Sequence, residues 1–284
     1  MTILITGSNG QLGNEMRVIA AQYPAINFIF TDIAELDLTN MEALQQFFTQ
    51  NKPQIVVNCA AYTAVDKAEE DVDLCYLVNK TAVENLAKAC AANQAKLLHV
   101  STDYVFDGSS YLPYTEDMPV CPTSVYGKSK LAGEEVAMAN CAQTAIIRTS
   151  WLYSSFGNNF VKTMIKLGTE RDRLTVIFDQ VGTPTYAADL AQAIMQIAIY
   201  ETFVPGIYHF SNEGVCSWYD FTKKIHKLSN IQCEVLPIET KDYPTKTPRP
   251  HYSVLNKAKI KSTYHIAIPH WEDSLERCLK VLNG

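Results

Sequence analysis

The chain has 284 residues, of which 47% are hydrophobic and 19% charged, so it can fold as one large domain or two smaller ones and is not intrinsically disordered. Its net charge of −6 leaves no basic excess to attract nucleic acid or an anionic membrane. The longest apolar run, residues 74–78, is far shorter than the ~20 residues of a membrane span, and no signal-peptide pattern is visible. We therefore expect a cytoplasmic protein with no nucleic-acid or membrane partner.

The first half of the sequence alternates short β-rich runs with longer helical patterns. Strands are predicted at residues 3–6, 27–31, 55–57, 96–101 and 144–148, and helices between them at 11–21, 41–50, 71–92 and 124–140. Thr39, with Glu42 three residues later, is the predicted cap of the second helix. Short apolar strands separated by helices are typical of a parallel sheet covered on both faces, so we expect a doubly wound, Rossmann-type α/β fold.

The pattern loosens after residue 150. Residues 174–177 and 187–200 predict a further strand and helix that extend the sheet, whereas Pro244, Pro248 and Pro250 lie too close together for a helix or a central strand. We therefore expect a dinucleotide-binding domain at residues 1–150, joined by about 174–200. A smaller, interleaved substrate-binding part is expected at residues 151–173 and 201–284.

A glycine-rich segment, Gly7-Ser-Asn-Gly10-Gln-Leu-Gly13, directly follows the first predicted strand and opens the first helix. Glycines at this spacing permit a tight turn and a close approach of the backbone to a pyrophosphate, and the helix N-terminus offers free N–H groups. An ordinary glycine-rich turn is the alternative. The position between a strand and a helix in a βαβ chain favours dinucleotide binding.

Asp32 ends the second strand, 19 positions after Gly13, where an acidic side chain meets the adenosine ribose hydroxyls. Its carboxylate also repels a 2′-phosphate, which favours NADH over NADPH; a solvated turn aspartate is the alternative. Asp37 and Leu38 open the next loop and are expected to border the adenine. The run 58–63 contains small residues that let the chain pass close to the cofactor, although packing alone explains them nearly as well.

Tyr126 and Lys130 are four residues apart on one predicted helix, so they share a face. The ammonium is expected to lower the tyrosine pKa from its ordinary value of about 10. Thr102, at the end of the fourth strand, can hold a carbonyl oxygen beside the phenol, and the three groups then form a proton donor for carbonyl reduction. A Tyr-x-x-x-Lys pair alone is common on exposed helices; here it accompanies a Ser-Thr strand end and the glycine motif.

More specific stretches lie at residues 10–13, 64–69, 101–108, 125–134, 148–151, 157–160, 179–185 and 249–256. Through these stretches the chain resembles, over nearly its whole length, the dTDP-4-dehydrorhamnose reductase family of the extended short-chain dehydrogenase/reductase superfamily. Stretches 10–13 and 125–134 are shared widely in the superfamily. Stretch 101–108, Trp151 and Arg249 are much more specific to the family.

The resemblance implies an enzyme that uses NADH or NADPH to reduce the C4 ketone of dTDP-4-dehydrorhamnose to dTDP-L-rhamnose. It implies that Tyr126 donates the proton, Lys130 tunes it and binds the nicotinamide ribose, and Thr102 holds the substrate oxygen. The residues implied to contact the substrate are Thr102, Asp103, Tyr104, Trp151 and Arg249, the last at the diphosphate. The residues implied to line the cofactor are Gly7, Gly10, Gln11, Leu12, Gly13, Asp32, Asp37, Leu38, Ala61, Tyr62, Thr63, Tyr126 and Lys130.

Two other functions share much of this pattern. A nucleotide-sugar epimerase or 4,6-dehydratase keeps NAD bound and recycles it, but a dehydratase needs a second acid after Asp103, where this chain has Tyr104. A relative of the methionine adenosyltransferase regulatory subunit would bind NADP(H) and a partner protein without reducing a sugar. The complete set of Thr102, Tyr126 and Lys130, together with Trp151 and Arg249, argues against that function.

Some members of the resembled family form metal-linked dimers through an acidic cluster. Glu15 and Asp189 match two positions of this cluster. The third position is an acid near the C-terminus, and the last residues here, 282–284, contain no counterpart of it. Bound Mg²⁺ is therefore doubtful, and the chain is expected to be a monomer or a homodimer. The eight cysteines form no Cys-x-x-Cys pair and the six histidines are scattered, so we expect reduced thiols and assign no metal ligands.

Overall fold

The computed structural model describes residues 1–283. The strands are β1 (Thr2–Thr6), β2 (Asn27–Thr31), β3 (Ile55–Asn58), β4 (Lys96–Thr102), β5 (Thr144–Thr149), β6 (Leu152–Tyr153), β7 (Arg173–Ile177), β8 (Val181–Gly182), β9 (Thr185–Tyr186), β10 (Gly206–His209), β11 (Cys216–Ser217) and β12 (Glu234–Ile238). The helices are α1 (Gln11–Ala20), α2 (Met41–Asn51), α3 (Val65–Ala68), α4 (Val72–Tyr76), α5 (Ala82–Ala92), α6 (Val125–Asn140), α7 (Phe160–Glu170), α8 (Ala187–Ile199), α9 (Trp218–Leu228), α10 (Ala258–Tyr264) and α11 (Trp271–Asn283). No helix in these 283 residues combines the length and apolar character needed to cross a membrane.

Six strands form one parallel sheet in the order β10-β5-β4-β3-β1-β2. Their register places Thr6 beside Asn58 and Thr102 beside Thr149, so the carboxyl ends of four neighbouring strands meet at one edge. Helices α1 and α8 cover one face and α2, α5 and α6 the other, each over its own apolar core. The predicted doubly wound α/β fold is confirmed, and its ligand crevice lies at the carboxyl ends of the strands.

The sixth strand of this sheet differs from the prediction. Residues 174–177 lie in β7, which pairs with β12 in a separate two-stranded sheet, whereas β10 occupies the edge beside β5. Strand β7 alternates exposed and buried residues, which is typical of a strand covered on one face, while β5 is buried throughout. The predicted helix at 187–200 forms as α8 and packs against α1 and the main sheet.

A third apolar core supports the later part of the chain. It joins α7, α9 and α11 with β7 and β12 around Tyr153, Phe221 and Leu275. The segment that carries Pro244, Pro248 and Pro250 is irregular, as predicted, after a short 3₁₀ turn at Thr240–Asp242.

The N-terminus of α2 is capped by Asn40, so the prediction of a capping box at Thr39 and Glu42 is wrong. The Asn40 side chain accepts a hydrogen bond from the Ala43 N–H at 3.1 Å. The Thr39 hydroxyl donates instead to Asp37 at 2.7 Å. Asparagine caps helices at least as well as threonine, and the Thr39 hydroxyl is already hydrogen-bonded to Asp37.

Helix α6 is packed very closely against two other segments through glycines. A Cβ on Gly127 would lie 2.3 Å from the Tyr104 carbonyl oxygen, and one on Gly133 would lie 2.1 Å from that of Asn79. Asn79 belongs to a π-helical turn, Leu77–Thr81, that joins α4 to α5. The glycines therefore let α6 lie directly against this turn and against the segment after β4.

We expect Gly133→Ala to lower the free energy of unfolding by about 1–3 kcal/mol, because the Asn79 backbone cannot move aside as a flexible side chain does. Urea denaturation measures the change. Glu135→Ala, at an exposed position of the same helix, is the control and should change stability by less than about 0.5 kcal/mol. Equal stabilities of the two variants would contradict the close packing.

Candidate active site

A cleft of about 380 Å³ lies at the carboxyl edge of the sheet. Gly7 has a φ of +64°, and a Cβ there would lie 2.5 Å from the Ala60 nitrogen, so the turn after β1 meets the loop after β3 where only glycine fits. A Cβ on Gly13 would lie 2.5 Å from the Gly7 carbonyl oxygen. The predicted cofactor residues that line this cleft are Gly7, Gly10, Asp32, Asp37, Leu38 and Ala61.

Other predicted cofactor residues surround the cleft. The Leu12 side chain is 5% exposed and packs in the core beneath α1, so only its backbone can face a ligand. The Gln11 side chain accepts a hydrogen bond from Asn159 at 3.0 Å. Since α1 begins at Gln11, the first N–H groups of the helix have no acceptor within it and suit a pyrophosphate.

Two residues of the loop after β3 differ in their surroundings. The Tyr62 hydroxyl donates to Asp71 at 2.8 Å, and the Tyr62 backbone N–H donates to the Asn79 side chain at 2.9 Å. Thr63 is exposed. The Tyr62 ring is therefore held by Asp71 and its backbone by the π-helical turn, while Thr63 is accessible to a ligand.

Asp32 holds the glycine-rich turn as well as lining the cleft. Its carboxylate accepts the Asn9 N–H at 3.0 Å and the Ile33 N–H at 2.8 Å. Both roles considered for Asp32, the turn residue and the cofactor ligand, are compatible with this geometry.

Tyr126 lies near the start of α6 and is only 8% exposed. Burial raises the pKa of its phenol above the ordinary value, and the neighbouring Thr102 hydroxyl lowers it in part. Lys130 is not among the groups that shift this pKa in the structure, so its effect on Tyr126 stays a prediction. The Lys130 ammonium donates to the Val100 carbonyl at 2.8 Å, and burial lowers its own pKa to about 8, against the opposing effect of Glu134.

A buried ion pair fixes α6 to the sheet. Arg148, on β5, donates to the Glu134 carboxylate from Nε at 3.0 Å and from Nη2 at 2.7 Å. Both side chains are almost fully buried, so loss of either partner would leave an uncompensated charge. The pair joins the 125–134 stretch to the 148–151 stretch.

Asp103 directly follows the strand end and is only 4% exposed. Its Oδ1 accepts the Thr102 hydroxyl at 3.0 Å, and its Oδ2 has no hydrogen-bond partner. Burial raises the pKa of Asp103 to about 7, although its hydrogen bonds oppose the shift. A carboxyl with this pKa can hold a proton at neutral pH.

A second cavity of about 610 Å³ opens beside Asp103. The predicted substrate residues that line it are Asp103, Tyr104, Trp151 and Arg249. Trp151 has a φ of +47°, which is strained for a bulky residue, and its indole stacks on Trp218 with ring centroids 3.5 Å apart. One face of Trp151 is therefore covered by protein.

Arg249 pairs with Asp66, with an Nη2–Oδ2 distance of 2.7 Å. The neighbouring Pro250 packs on Gly108, which has a φ of +79° and where a Cβ would lie 2.5 Å from the proline Cβ. The Ser101–Gly108 stretch thus ends in a glycine that lets the Arg249 segment close over the cavity.

Several residues that line the second cavity were not predicted from the sequence: Phe160, Arg171, Arg173, Gln180, Trp218 and Tyr243. Arg173 begins β7, which was predicted to join the other sheet, and Arg171 lies two residues before it. Phe160 and Gln180 lie inside stretches that carry the family resemblance, and that location was the signal available for them.

Glu15 and Asp189, the two acids that match the family's metal cluster, are not arranged to bind a metal ion. The Glu15 carboxylate accepts the Ser154 hydroxyl at 2.6 Å. The Asp189 carboxylate accepts hydrogen bonds from Arg277 and Ser274, both at 2.5 Å, so a guanidinium already neutralises it. No group of three His, Cys, Asp or Glu side chains suited to a metal occurs in the described chain, residues 1–283.

Residues 1–283 match the family described as the RmlD substrate binding domain. A dTDP-4-dehydrorhamnose reductase from Aggregatibacter actinomycetemcomitans is 41% identical over 96% of this chain and 97% of its own. A crystal structure of such a reductase from Clostridium acetobutylicum is 44% identical and covers 100% of both chains with a TM-score of 0.96. A Bacillus anthracis reductase, in complex with NADP, is 40% identical over 99% of both chains with a TM-score of 0.93. As the sequence predicts, this chain belongs to the dTDP-4-dehydrorhamnose reductase family.

Proposed function

We propose that this protein reduces the C4 ketone of dTDP-4-dehydrorhamnose to dTDP-L-rhamnose with NADH or NADPH. The observation that carries the proposal is the position of α6 between the two cavities. Lys130 lies near Cys59, which lines the first cleft. Tyr126 packs edge-on against Tyr104, which lines the second, with ring centroids 5.4 Å apart.

The first cleft suits a nicotinamide dinucleotide, which supplies the hydride for C4 when bound. Asp32 faces the adenosine ribose, and Asp37 and Leu38 border the adenine. The pyrophosphate lies at Gly10 and the first N–H groups of α1. The residues placed at the nicotinamide half are Ala61, Tyr62, Thr63, Tyr126 and Lys130.

The second cavity suits the dTDP-sugar. The Thr102 hydroxyl holds the ketone oxygen beside Tyr126, whose phenol donates the proton that completes the alcohol. Asp103, Tyr104 and the open edge of Trp151 contact the sugar, and Arg249 contacts the diphosphate. The burial of Tyr126 excludes water from the proton donor.

These assignments divide the chain into two functional parts. Residues 1–150, with α8, hold the cofactor. Residues 151–173, β7 and most of 201–283 hold the substrate, except that β10 completes the main sheet. This division moves residues 174–177 to the substrate-binding part, because β7 lines the second cavity.

Membership of the reductase family supports this function and supports neither alternative. Absorbance of NADH, followed after addition of the keto-sugar nucleotide, tests it directly. Protein that carries bound NAD and needs no added NADH would indicate an epimerase or dehydratase. Protein that binds NADP(H) without reducing the sugar would indicate a regulatory subunit.

A cytoplasmic location is proposed for this reaction, because the eight cysteines are free and most of them buried. A monomer or a homodimer assembled without a metal ion agrees with the pairing of Asp189 by Arg277. The acidic net charge argues against a nucleic-acid partner.

Asp32→Ala should shift the ratio of kcat/KM values towards NADPH, because it removes a carboxylate that repels the 2′-phosphate. A repulsion of about 1 kcal/mol near the surface corresponds to about fivefold. Asp32→Asn is the matched variant, since it removes the charge while its one side-chain oxygen can still accept one of the two N–H groups, that of Asn9 or that of Ile33. An unchanged ratio in both variants would make Asp32 a turn residue only, and a shift confined to Asp32→Ala would point to a disturbed turn.

A further inference from the structure

We propose that Trp218 is a positioning residue for this reaction: it holds the indole of Trp151 in the orientation in which Trp151 meets the sugar. The inference rests on the proposed function, in which the open edge of Trp151 contacts the sugar. Trp218 thereby acts on the substrate through a second side chain and not on the reacting atoms themselves.

Trp151 lies between β5 and β6 in a backbone conformation that is costly for a bulky residue. Its φ of +47° is in the left-handed region, which glycine and asparagine adopt far more readily than tryptophan. The Ser150 hydroxyl donates to the Thr183 carbonyl at 2.9 Å, and the Thr185 N–H donates to the Trp151 carbonyl at 3.1 Å. These bonds fix the backbone at residue 151 and leave the direction of its side chain to other contacts.

The stack with Trp218 provides such a contact. The two indoles lie almost parallel, with planes 11° apart and ring centroids 3.5 Å apart, so the contact restricts rotation of the Trp151 side chain. Phe160, the first residue of α7, packs on the Trp218 ring at a centroid distance of 4.5 Å. Trp218 is therefore held from a second side and cannot simply follow the Trp151 ring.

The start of α9 fixes the backbone of Trp218. The Ser217 hydroxyl accepts the Asp220 N–H at 3.1 Å, and the Asp220 carboxylate accepts the Ser217 N–H at 3.0 Å, which together form a capping box. The Thr222 hydroxyl donates to the Trp218 carbonyl at 2.8 Å. Trp218 is thus set by a capped helix start, which is a firmer support than a loop.

One two-stranded ribbon meets the Trp151 indole at two points. Strand β8 pairs with β11, with Gly182 opposite Cys216, and Trp218 directly follows β11. A Cβ on Gly182 would lie 2.8 Å from both Cε2 and Cζ2 of Trp151, so only glycine leaves room for the indole there. The β8–β11 ribbon therefore supplies both the stacking partner of Trp151 and the space that its ring occupies.

The orientation held in this way matters at the reacting end of the second cavity. Trp151 and Trp218 line this cavity together with Tyr104, whose ring packs against that of Tyr126. An indole that rotates freely would either enter the volume of the sugar or lose its contact with the sugar. Both changes weaken sugar binding and place C4 less well for hydride transfer.

Trp218→Ala should raise the sugar KM about 2- to 10-fold, the range that loss of an aromatic stack produces. The NADH KM should stay at the wild-type value, because Trp218 lines the second cavity and not the cofactor cleft. Trp218→Phe keeps an aromatic face for the stack and should recover most of the sugar affinity.

A double-mutant cycle with Trp151→Ala shows whether Trp218 acts through Trp151. Trp151→Ala alone should raise the sugar KM. If Trp218 serves to hold Trp151, adding Trp218→Ala to that variant should raise the sugar KM no further, because the two effects are not independent.

Nuclear magnetic resonance of the indole N–H groups gives a readout that does not depend on activity. The chain has three tryptophans, so single substitutions assign the three signals. The ring current of Trp218 should displace the Trp151 signal in wild type, and Trp218→Ala should return it towards its ordinary position. Trp271→Phe is the control, since Trp271 packs on Phe221 in the third core and its replacement should keep both the Trp151 signal and the sugar KM.

Gly182→Ala approaches the same indole from β8 and leaves Trp218 in place, so the proposal can be tested even if Trp218→Ala does not fold. The added Cβ should push the Trp151 ring aside. The Trp151 signal should therefore move and the sugar KM should rise, with the NADH KM unchanged.

Three results would overturn the positioning role in an active enzyme. Additive increases in the sugar KM in the double variant would make Trp218 a direct substrate contact, and an unchanged sugar KM in Trp218→Ala would leave it as a core residue. A Trp151 signal that neither Trp218→Ala nor Gly182→Ala moves would show that the ribbon does not hold the indole. Wild-type protein that oxidises no NADH with the keto-sugar contradicts the proposed function itself, whereas the indole signals are measured without substrate, so the two failures are distinguishable.

Discussion

Tyr126→Phe should lower kcat for reduction of the keto-sugar by at least about 10²-fold, the usual contribution of a positioned general acid. The substitution removes only the phenolic oxygen and retains the ring that packs against Tyr104. Affinity for NADH, measured by fluorescence titration, should stay at the wild-type value. The raised pKa of Tyr126 keeps the wild-type phenol protonated at neutral pH, as a proton donor requires.

Tyr153→Phe is the control for loss of a buried tyrosine hydroxyl. Tyr153 is buried in the third core, and its hydroxyl has no hydrogen-bond partner. Its replacement should leave kcat near the wild-type value. A Tyr126→Phe enzyme that reduces the sugar at a near wild-type rate would show that another group supplies the proton.

Arg249→Ala should raise the KM for the dTDP-sugar by about tenfold or more, corresponding to ~1.5–3 kcal/mol for a charged hydrogen bond. Arg249 stands between Pro248 and Pro250, so its backbone is stiff and loses little freedom on binding. A net charge of −6 repels an anionic substrate, and a local cation offsets this repulsion. The KM for NADH should barely change, because Arg249 lines the second cavity and not the cofactor cleft.

The ion pair with Asp66 is the competing explanation for Arg249, and Asp66→Asn separates the two. If Arg249 binds the diphosphate, removal of Asp66 leaves the cation in place and the sugar KM does not rise. If Arg249 serves only to pair with Asp66, neither variant raises the sugar KM specifically. Parallel increases in the NADH and sugar KM values in Arg249→Ala would indicate a general disturbance of the fold.

The first half of the fold could be predicted because its signals are local. Each of the first five strands is a short apolar run next to a helix, and the structure extends them by at most one residue at either end. The sixth strand could not be predicted, because β10 has only four residues and begins with a glycine. Which strand joins the open edge is decided by long-range pairing, and β7 and β10 give no local sign of their partners.

Helix α5 shows a second limit of local patterns. A single helix is predicted at 71–92, and the helical periodicity continues through the π-helical turn at Leu77–Thr81. Within that turn, the Asn79 backbone lies against Gly133 on α6, a contact that only a glycine allows. The helical propensity of residues 71–92 cannot predict a contact with a distant helix.

The candidate site divides in the same way. The glycine motif lies within one short segment and the Tyr126–Lys130 pair within another, so the spacing inside each segment is enough to predict its local geometry. Arg249 and Asp66 are 183 positions apart, and only the fold reveals their pairing. The electrostatic environment was the least predictable property, because the burial that raises the Tyr126 pKa comes from many separate segments.

The Arg277 guanidinium gives Asp189 a counterion that is part of the polypeptide. A guanidinium keeps its charge at every pH at which the protein is folded and cannot be extracted by a chelator. Treatment with EDTA should therefore change neither the melting temperature nor turnover. Because Arg277 lies on α11 and Asp189 on α8, the same pair fastens the last helix to the cofactor-binding half. The two halves are thus joined by a bond that does not depend on the supply of divalent ions in the cell.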